Sequence, residues 1–285
     1  MVLSPEQAAR ISSLFKGSGG RILFRCLEKF TGLSKVNGTH QRVEDLHIPP
    51  GPDFAKGIMD DLGIDMLIGN PERLDSLPEG AFITISNHVY GHVDGIALVD
   101  VLGHVRPKVK VLVNEMLMHI HGLAPNFISV NPTLSKKQAT ATSINGIKNA
   151  LQQIRDGEPL ALFPSGAVAN FKPFAKEKIQ ERDWQDAAVR LIRKARVPVV
   201  PIRFYDHNSW LFYSLGLLDY RVRLLRPCHE AYNKKGTHPR MGIGPVISVQ
   251  EQEAVSDQDF KDFLRQKVYS LPLPDHFVLR SQLWK

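Results

Sequence analysis

AFITISNHVYGHVDGIALVD, residues Ala81 to Asp100, is the stretch on which the reading of the fold turns. Its first six residues are short, apolar and β-branched, the composition of a strand packed on both faces. A loop rich in polar residues and glycine follows, and the chain then enters GIALVDVLG (95–103), which reads as a buried helix. The same alternation repeats downstream. VKVLVN (109–114) and NFISVN (126–131) lead to a helix from about Lys136 to Arg155. PLALFPSG (159–166) precedes WQDAAVRLIRKA (184–195), and VPVVPIRF (197–204) precedes SWLFYSLGLLD (209–219). Strands alternating with helices predict an α/β fold with a mixed, largely parallel sheet flanked by helices. In such sheets chemistry collects in loops at the carboxyl ends of strands. Three loops qualify: SNHVYGHVDG after Ile85, PSGAVAN after Phe163, and RFYDHNS (203–209) after Ile202.

The first 80 residues read as short helices broken by glycine and proline. Arg21 to Phe30 places Ile22, Leu23, Cys26, Leu27 and Phe30 on one face, with Arg21, Arg25 and Lys29 on the other. That pattern suits a helix lying in a lipid interface, and equally one packed on a core with its bases outward. HIPPGPD (47–53) reads as a loop, giving a helical region at 1–53 and an α/β domain at 54–285.

The 285 residues are 43% hydrophobic and 23% charged, with 36 Lys and Arg against 29 Asp and Glu. The basic excess is uneven: Val189 to Arg240 holds eleven bases and three acids. A basic region of this kind suits an anionic lipid surface or an acidic carrier protein. The aromatics fall in apolar runs and do not interleave with the bases, which argues against nucleic acid. Cys26 and Cys228 form no metal-type spacing and point to a reducing compartment. The N-terminus lacks a secretory signal, and no stretch has the roughly 20 apolar residues of a membrane-spanning helix.

The first loop carries the chemistry. Asn87, His88, His92 and Asp94 crowd it, and Gly91 and Gly95 free its backbone. Histidine is the usual general base near neutral pH, and a carboxylate can hold its ring and fix its tautomer. A substrate bringing its own hydroxyl then needs no protein nucleophile. The rival readings are that His88 and Asp94 cap the strand and the helix, or that His88, His92 and Asp94 bind a metal. In the second loop Gly166 allows close backbone approach and Ser165 offers a donor; an ordinary turn is the alternative. No GxSxG, GxGxxG or phosphate-loop motif is present.

NHVYGHVDG, FISVN, FPSGAVAN and VPVVPIRF, in that order, resemble the four blocks of the glycerolipid and lysophospholipid acyltransferase superfamily. Within it the chain is most similar to the bacterial hemolysin-like branch, which includes the O-acyltransferases of ornithine and glycine lipids. The resemblance runs from about Phe54 to the C-terminus. It implies that His88 and Asp94 are the catalytic pair, and that a hydrophobic acyl tunnel and an N-terminal membrane-binding helix accompany them. It implies a peripheral enzyme at the cytoplasmic face of the inner membrane, with no cofactor. The acyl donor is a thioester of acyl carrier protein or coenzyme A. Asn87, Gly91, Gly95, Phe127, Ser129, Phe163, Pro164, Ser165, Gly166 and Arg203 fall in the blocks and are expected at the substrates.

Three departures bear on the substrate. Five residues separate His88 from Asp94, as in the hemolysin-like branch, and His92 stands where that branch has glycine. His92 reads as a neighbour of the pair or as a second proton carrier, and the first is favoured because one base suffices for acyl transfer. Phosphatidic-acid-forming members end the second block in arginine; here that position is Val130. Their third block carries glutamate where this chain has Ser165. Loss of a bidentate phosphate donor favours a phosphate-free acceptor, an N-acylated amino acid with a hydroxyl on its fatty chain. Arg203 is the remaining candidate for a headgroup contact.

Overall fold

The computed structural model describes residues 16–130, 141–174, 178–218 and 226–284, together with Glu6 and Arg223. Three helices lead: α1 (Gly17–Thr31), α2 (Leu33–Asp45) and α3 (Pro52–Leu62). Gly32, at φ 77°, ends α1 in the left-handed conformation that closes a helix without side-chain strain. Pro52 and Asp53, placed in a loop by the sequence reading, form the first turn of α3. Proline loses nothing at the first helical position, and an acid there meets the positive end of the helix. Val43 of α2 shares a core cluster with Phe54 and Ile58 of α3.

The α/β region follows as β1 (Leu67–Gly69), β2 (Ile83–Ser86), α4 (His92–Val105), β3 (Lys110–Asn114) and β4 (Phe127–Val130). Next come α5 (Ala141–Arg155), β5 (Leu160–Leu162), a small hairpin of β6 (Asn170–Phe171) and β7 (Ile179–Gln180), and α6 (Asp186–Ala195). The chain closes with β8 (Val199–Phe204), α7 (Trp210–Leu218), α8 (Pro227–Tyr232), β9 (Arg240–Ile243), α9 (Val249–Glu253), α10 (Phe260–Tyr269) and β10 (Phe277–Leu279). Of the helix expected from Lys136, the part from Ala141 is observed; 131–140 lie outside the described residues.

Eight strands form one sheet in the order β10-β1-β9-β8-β2-β5-β3-β4. All pairings are parallel except β1 with β10 and β8 with β9. The mixed, largely parallel sheet anticipated from the alternation is therefore present. Strands β1, β9 and β10, which together form one end of the sheet, escaped the sequence reading.

Strand alternation divides the core. Phe82, Val111, Ala161, Ile202 and Phe204 pack with α3 and α4 on one face; Ile83, Ile85, Leu160 and Leu162 pack with α5, α6 and α10 on the other. Helix α4 is buried almost all round, and the only acidic side chains in its buried run are Asp94 and Asp100. Asp100 pairs with the buried Arg280, tying the C-terminal segment to the core. In the parallel register Ile85 lies opposite Leu162 and Pro201, so β8, β2 and β5 end side by side. That adjacency gathers the three loops singled out by sequence at one edge of the sheet.

Candidate active site

The loop from Asn87 to Gly91 joins β2 to α4, and almost every hydrogen-bonding group on it is assigned. The Asn87 amide donates to the Phe204 carbonyl and accepts from the Phe204 N–H, both at 2.8 Å. This side chain, expected at the substrate, therefore continues the β2–β8 ladder. The His88 carbonyl accepts from the Ala169 N–H at 2.8 Å, and the Val89 carbonyl from the Asn208 amide at 2.8 Å. Gly91, at φ 84° and ψ −128°, turns the chain into α4 through a conformation that glycine adopts readily. Its N–H makes none of these bonds.

Asp94 is fully buried in the first turn of α4, and one oxygen carries its whole load. Oδ2 accepts from the main-chain N–H of Val89 at 2.9 Å and of Tyr90 at 3.0 Å, and lies 2.8 Å from His88 Nδ1. Oδ1 has no partner among the described residues. An ionised carboxylate only accepts, so the proton of a neutral His88 sits on Nδ1 and the lone pair on Nε2. Nε2 makes no hydrogen bond to the described residues. The His88 side chain keeps 19% of its surface, enough for an incoming group. Phe163 stacks on the ring at 4.3 Å between centroids and fixes its tilt.

His92 begins α4. Burial, reinforced by the charge of Lys234 and by His88, lowers its pKa to about 4, so the ring is neutral at neutral pH. Lys234 is itself buried, which lowers its own pKa. Its ammonium donates to the Asn208 side chain at 2.6 Å and lies over the Tyr90 ring. Lys234 thereby supports the amide that holds the Val89 carbonyl.

The second loop is held from one side by residues 181–185. Ser165 is buried, and its hydroxyl lies 2.7 Å from Glu181 Oε1 and 3.0 Å from the Ala167 carbonyl. A hydroxyl donates once, and the charged acceptor is the stronger. Glu181 Oε1 also accepts the main-chain N–H of His88 at 2.6 Å; Oε2 accepts from the Tyr269 hydroxyl at 2.6 Å and the Trp184 indole at 3.3 Å. Arg182 donates to the carbonyls of Ser165 at 2.7 Å and Gly166 at 3.0 Å. The Gly166 N–H is bound to Phe163, and the Pro164 carbonyl accepts from Gln185.

Sequence reading missed Glu181, Arg182, Asn208 and Lys234. Glu181 meets His88 across 93 positions with no motif around it. A carboxylate thus does reach the second loop, contributed by the segment after β7 and not by position 165.

The other expected residues lie further out. Phe127 is buried in the core on β4. Ser129 packs its main chain against Gly146 of α5, and its buried hydroxyl has no partner among the described residues. Gly95 is buried in α4. Arg203 spends its guanidinium on the carbonyls of Tyr269 and Leu271, and lies over the Tyr205 ring. Among the described residues, no three His, Cys, Asp or Glu side chains form a group able to hold a metal ion.

A predominantly parallel sheet with helices on both faces, bearing a histidine–carboxylate pair at its strand ends, defines a protein of the α/β class. Residues 35–274 match the family described as acyltransferase, so the chain belongs to the acyltransferase family and is an acyl-transferring enzyme. It is similar to a Bacteroides thetaiotaomicron protein called lyso-glycine lipid O-acyltransferase, 34% identical over 236 residues that cover 76% of this chain and 84% of that protein. A Phocaeicola vulgatus protein of the same name is 31% identical over 230 residues, 78% of each chain.

Proposed function

We propose that the enzyme moves a fatty acyl group from a thioester to the hydroxyl of a lyso-glycine-type lipid, an N-acylated amino acid carrying a hydroxylated chain. The observation that carries this reading is the His88 Nδ1–Asp94 Oδ2 contact at 2.8 Å, which leaves Nε2 as an unoccupied base. Nε2 takes the acceptor's hydroxyl proton as the oxygen attacks the thioester carbonyl. Asp94 holds the ring and stabilises the imidazolium that forms. The tetrahedral oxyanion needs a donor, and the Gly91 N–H suits this role better than that of Gly166, which is already bound. Collapse expels the thiolate, which takes the proton from Nε2. The products are the ester and a free thiol on coenzyme A or acyl carrier protein. Burial lowers the His92 pKa to about 4 and makes it the weaker base, so the proton transfer is assigned to His88.

Two independent facts support the acceptor. Both relatives carry the name lyso-glycine lipid O-acyltransferase. Val130 offers no charge for a phosphate, and Arg203 is engaged with main-chain carbonyls. The test is an acyl-transfer assay with acyl-carrier-protein and coenzyme A thioesters and two acceptors, an N-(3-hydroxyacyl)glycine and lysophosphatidic acid. Label is expected on the glycine lipid, and His88→Ala is expected to lower turnover by ~10³-fold. Transfer to lysophosphatidic acid alone refutes the acceptor, and normal turnover by His88→Ala refutes the base.

A further inference from the structure

Helix α7 is apolar on every side but is only half packed. Phe212 and Tyr213 are buried, whereas Trp210, Leu211 and Leu217 keep 56%, 53% and 54% of their surfaces. Next to it stands the β6–β7 hairpin. Phe171 of β6 meets the Trp210 ring edge-on at 5.6 Å, and Phe174, beyond β6, is wholly exposed. Lys172 and Lys178, on either side of Phe174, are exposed as well. Large apolar side chains offered together to solvent mark a contact surface and not ordinary surface variation. An aromatic and aliphatic face with an indole at its rim and lysines beside it matches the composition of an interfacial membrane contact.

The position of this face matters as much as its composition. The Ala169 N–H, one residue before β6, holds the His88 carbonyl, and Asn208, two residues before α7, holds the Val89 carbonyl. The apolar face therefore adjoins the catalytic loop on both sides. No helix among the described residues is long and apolar enough to cross a membrane.

We propose that the face formed by Phe171, Phe174, Trp210, Leu211 and Leu217 seats the enzyme on an anionic lipid bilayer, with Lys172 and Lys178 among the headgroups. It then delivers the lipid acceptor to His88 from the bilayer. This rests on the lipid-acceptor reading above. The first helix also exposes Ile22 and Leu23, and in this proposal it serves as a second anchor.

Co-sedimentation of the full-length protein with vesicles of phosphatidylcholine plus phosphatidylglycerol, and of phosphatidylcholine alone, tests the proposal. Phe174→Glu and Leu211→Glu are each expected to weaken partitioning by about tenfold, the scale of removing one large apolar group from a buried setting. Lys172→Gln is expected to weaken only the phosphatidylglycerol-dependent part, by roughly fivefold. Activity is read on a vesicle-embedded acceptor and on a short-chain, water-soluble one. The expected result is loss on the first with the second unchanged, at an unchanged melting temperature. Wild-type protein that stays unbound, or a Phe174→Glu/Leu211→Glu double variant that sediments like wild type, overturns the proposal. So does binding that disappears only in Ile22→Glu/Leu23→Glu. Vesicle binding that depends on Phe174 and Leu211 supports it even where no acceptor turns over; that failure counts against the assigned reaction instead.

Discussion

Replacing Glu181 by alanine removes a carboxylate shared by four donors: the His88 N–H, the Ser165 hydroxyl, the Tyr269 hydroxyl and the Trp184 indole. Two of these have alternatives. The Ser165 hydroxyl can turn to the Ala167 carbonyl 3.0 Å away, and the part-buried Tyr269 hydroxyl can turn to water. The His88 N–H and the Trp184 indole have no second acceptor among the described residues. Stranding each costs about 1–3 kcal/mol, and relief of the buried charge offsets part of the sum. A net loss of ~3 kcal/mol lowers the melting temperature by roughly 6–12 °C for a domain of this size. The kinetic effect follows from the same bond. With its N–H released, His88 is held by its carbonyl, Asp94 and Phe163 alone, and kcat is expected to fall at least about tenfold. KM is expected to stay within about twofold, since Glu181 is buried and both its oxygens are taken by protein donors. Glu181→Gln should recover part of both losses. Its oxygen can serve His88 and Ser165 and its amide can donate to Tyr269, although the amide opposes the indole N–H. Thermal unfolding followed by circular dichroism, with steady-state kinetics, measures both effects. An alanine variant that melts within about 2 °C of wild type with kcat within about twofold would show that the shared carboxylate positions nothing.

Three further outcomes follow from the packing. Arg280→Met leaves the buried Asp100 carboxylate without its main counter-charge and should cost about 3–5 kcal/mol in urea unfolding; adding Asp100→Asn should restore part of that stability. Acid should destabilise the fold through His40 and His92, whose pKa values burial lowers from 6.5 to about 4. Between these values the unfolded chain binds protons that the native chain refuses, so stability falls as pH drops from about 6.5 to about 4, by up to ~3 kcal/mol per ring. His104, whose pKa is raised chiefly by its hydrogen bond to Asp100, acts in the opposite sense, and its contribution is lost as pH rises. Melting curves at stepped pH should show the net acid slope, reduced in His40→Leu. Gly166→Ala places a Cβ against the Gln185 amide at a φ of 61° and should cost about 2 kcal/mol by thermal melting, with lowered activity through displacement of Phe163.

The alternation of strands and helices from Ala81 onward was legible because both periods are local. Each central strand is a short apolar run and each helix a longer one, so the largely parallel sheet followed from spacing alone. His88 and Asp94 stood out because they lie six positions apart at a strand end, and the folded loop brings them into contact. Tertiary structure decided what surrounds them. Asn87 and Arg203 have the chemistry to touch a substrate, yet the sheet and the C-terminal segment already use their donors. Glu181 and Lys234 sit in unremarkable charged segments and gain their roles from residues 93 and 26 positions away. Helix α7 has one composition and two faces, and packing alone decides that Phe212 and Tyr213 turn inward while Trp210 and Leu211 do not. Local sequence sets which residues can pair within a turn or a strand. The closure of distant segments, whose entropic cost only the whole core repays, sets which of them do.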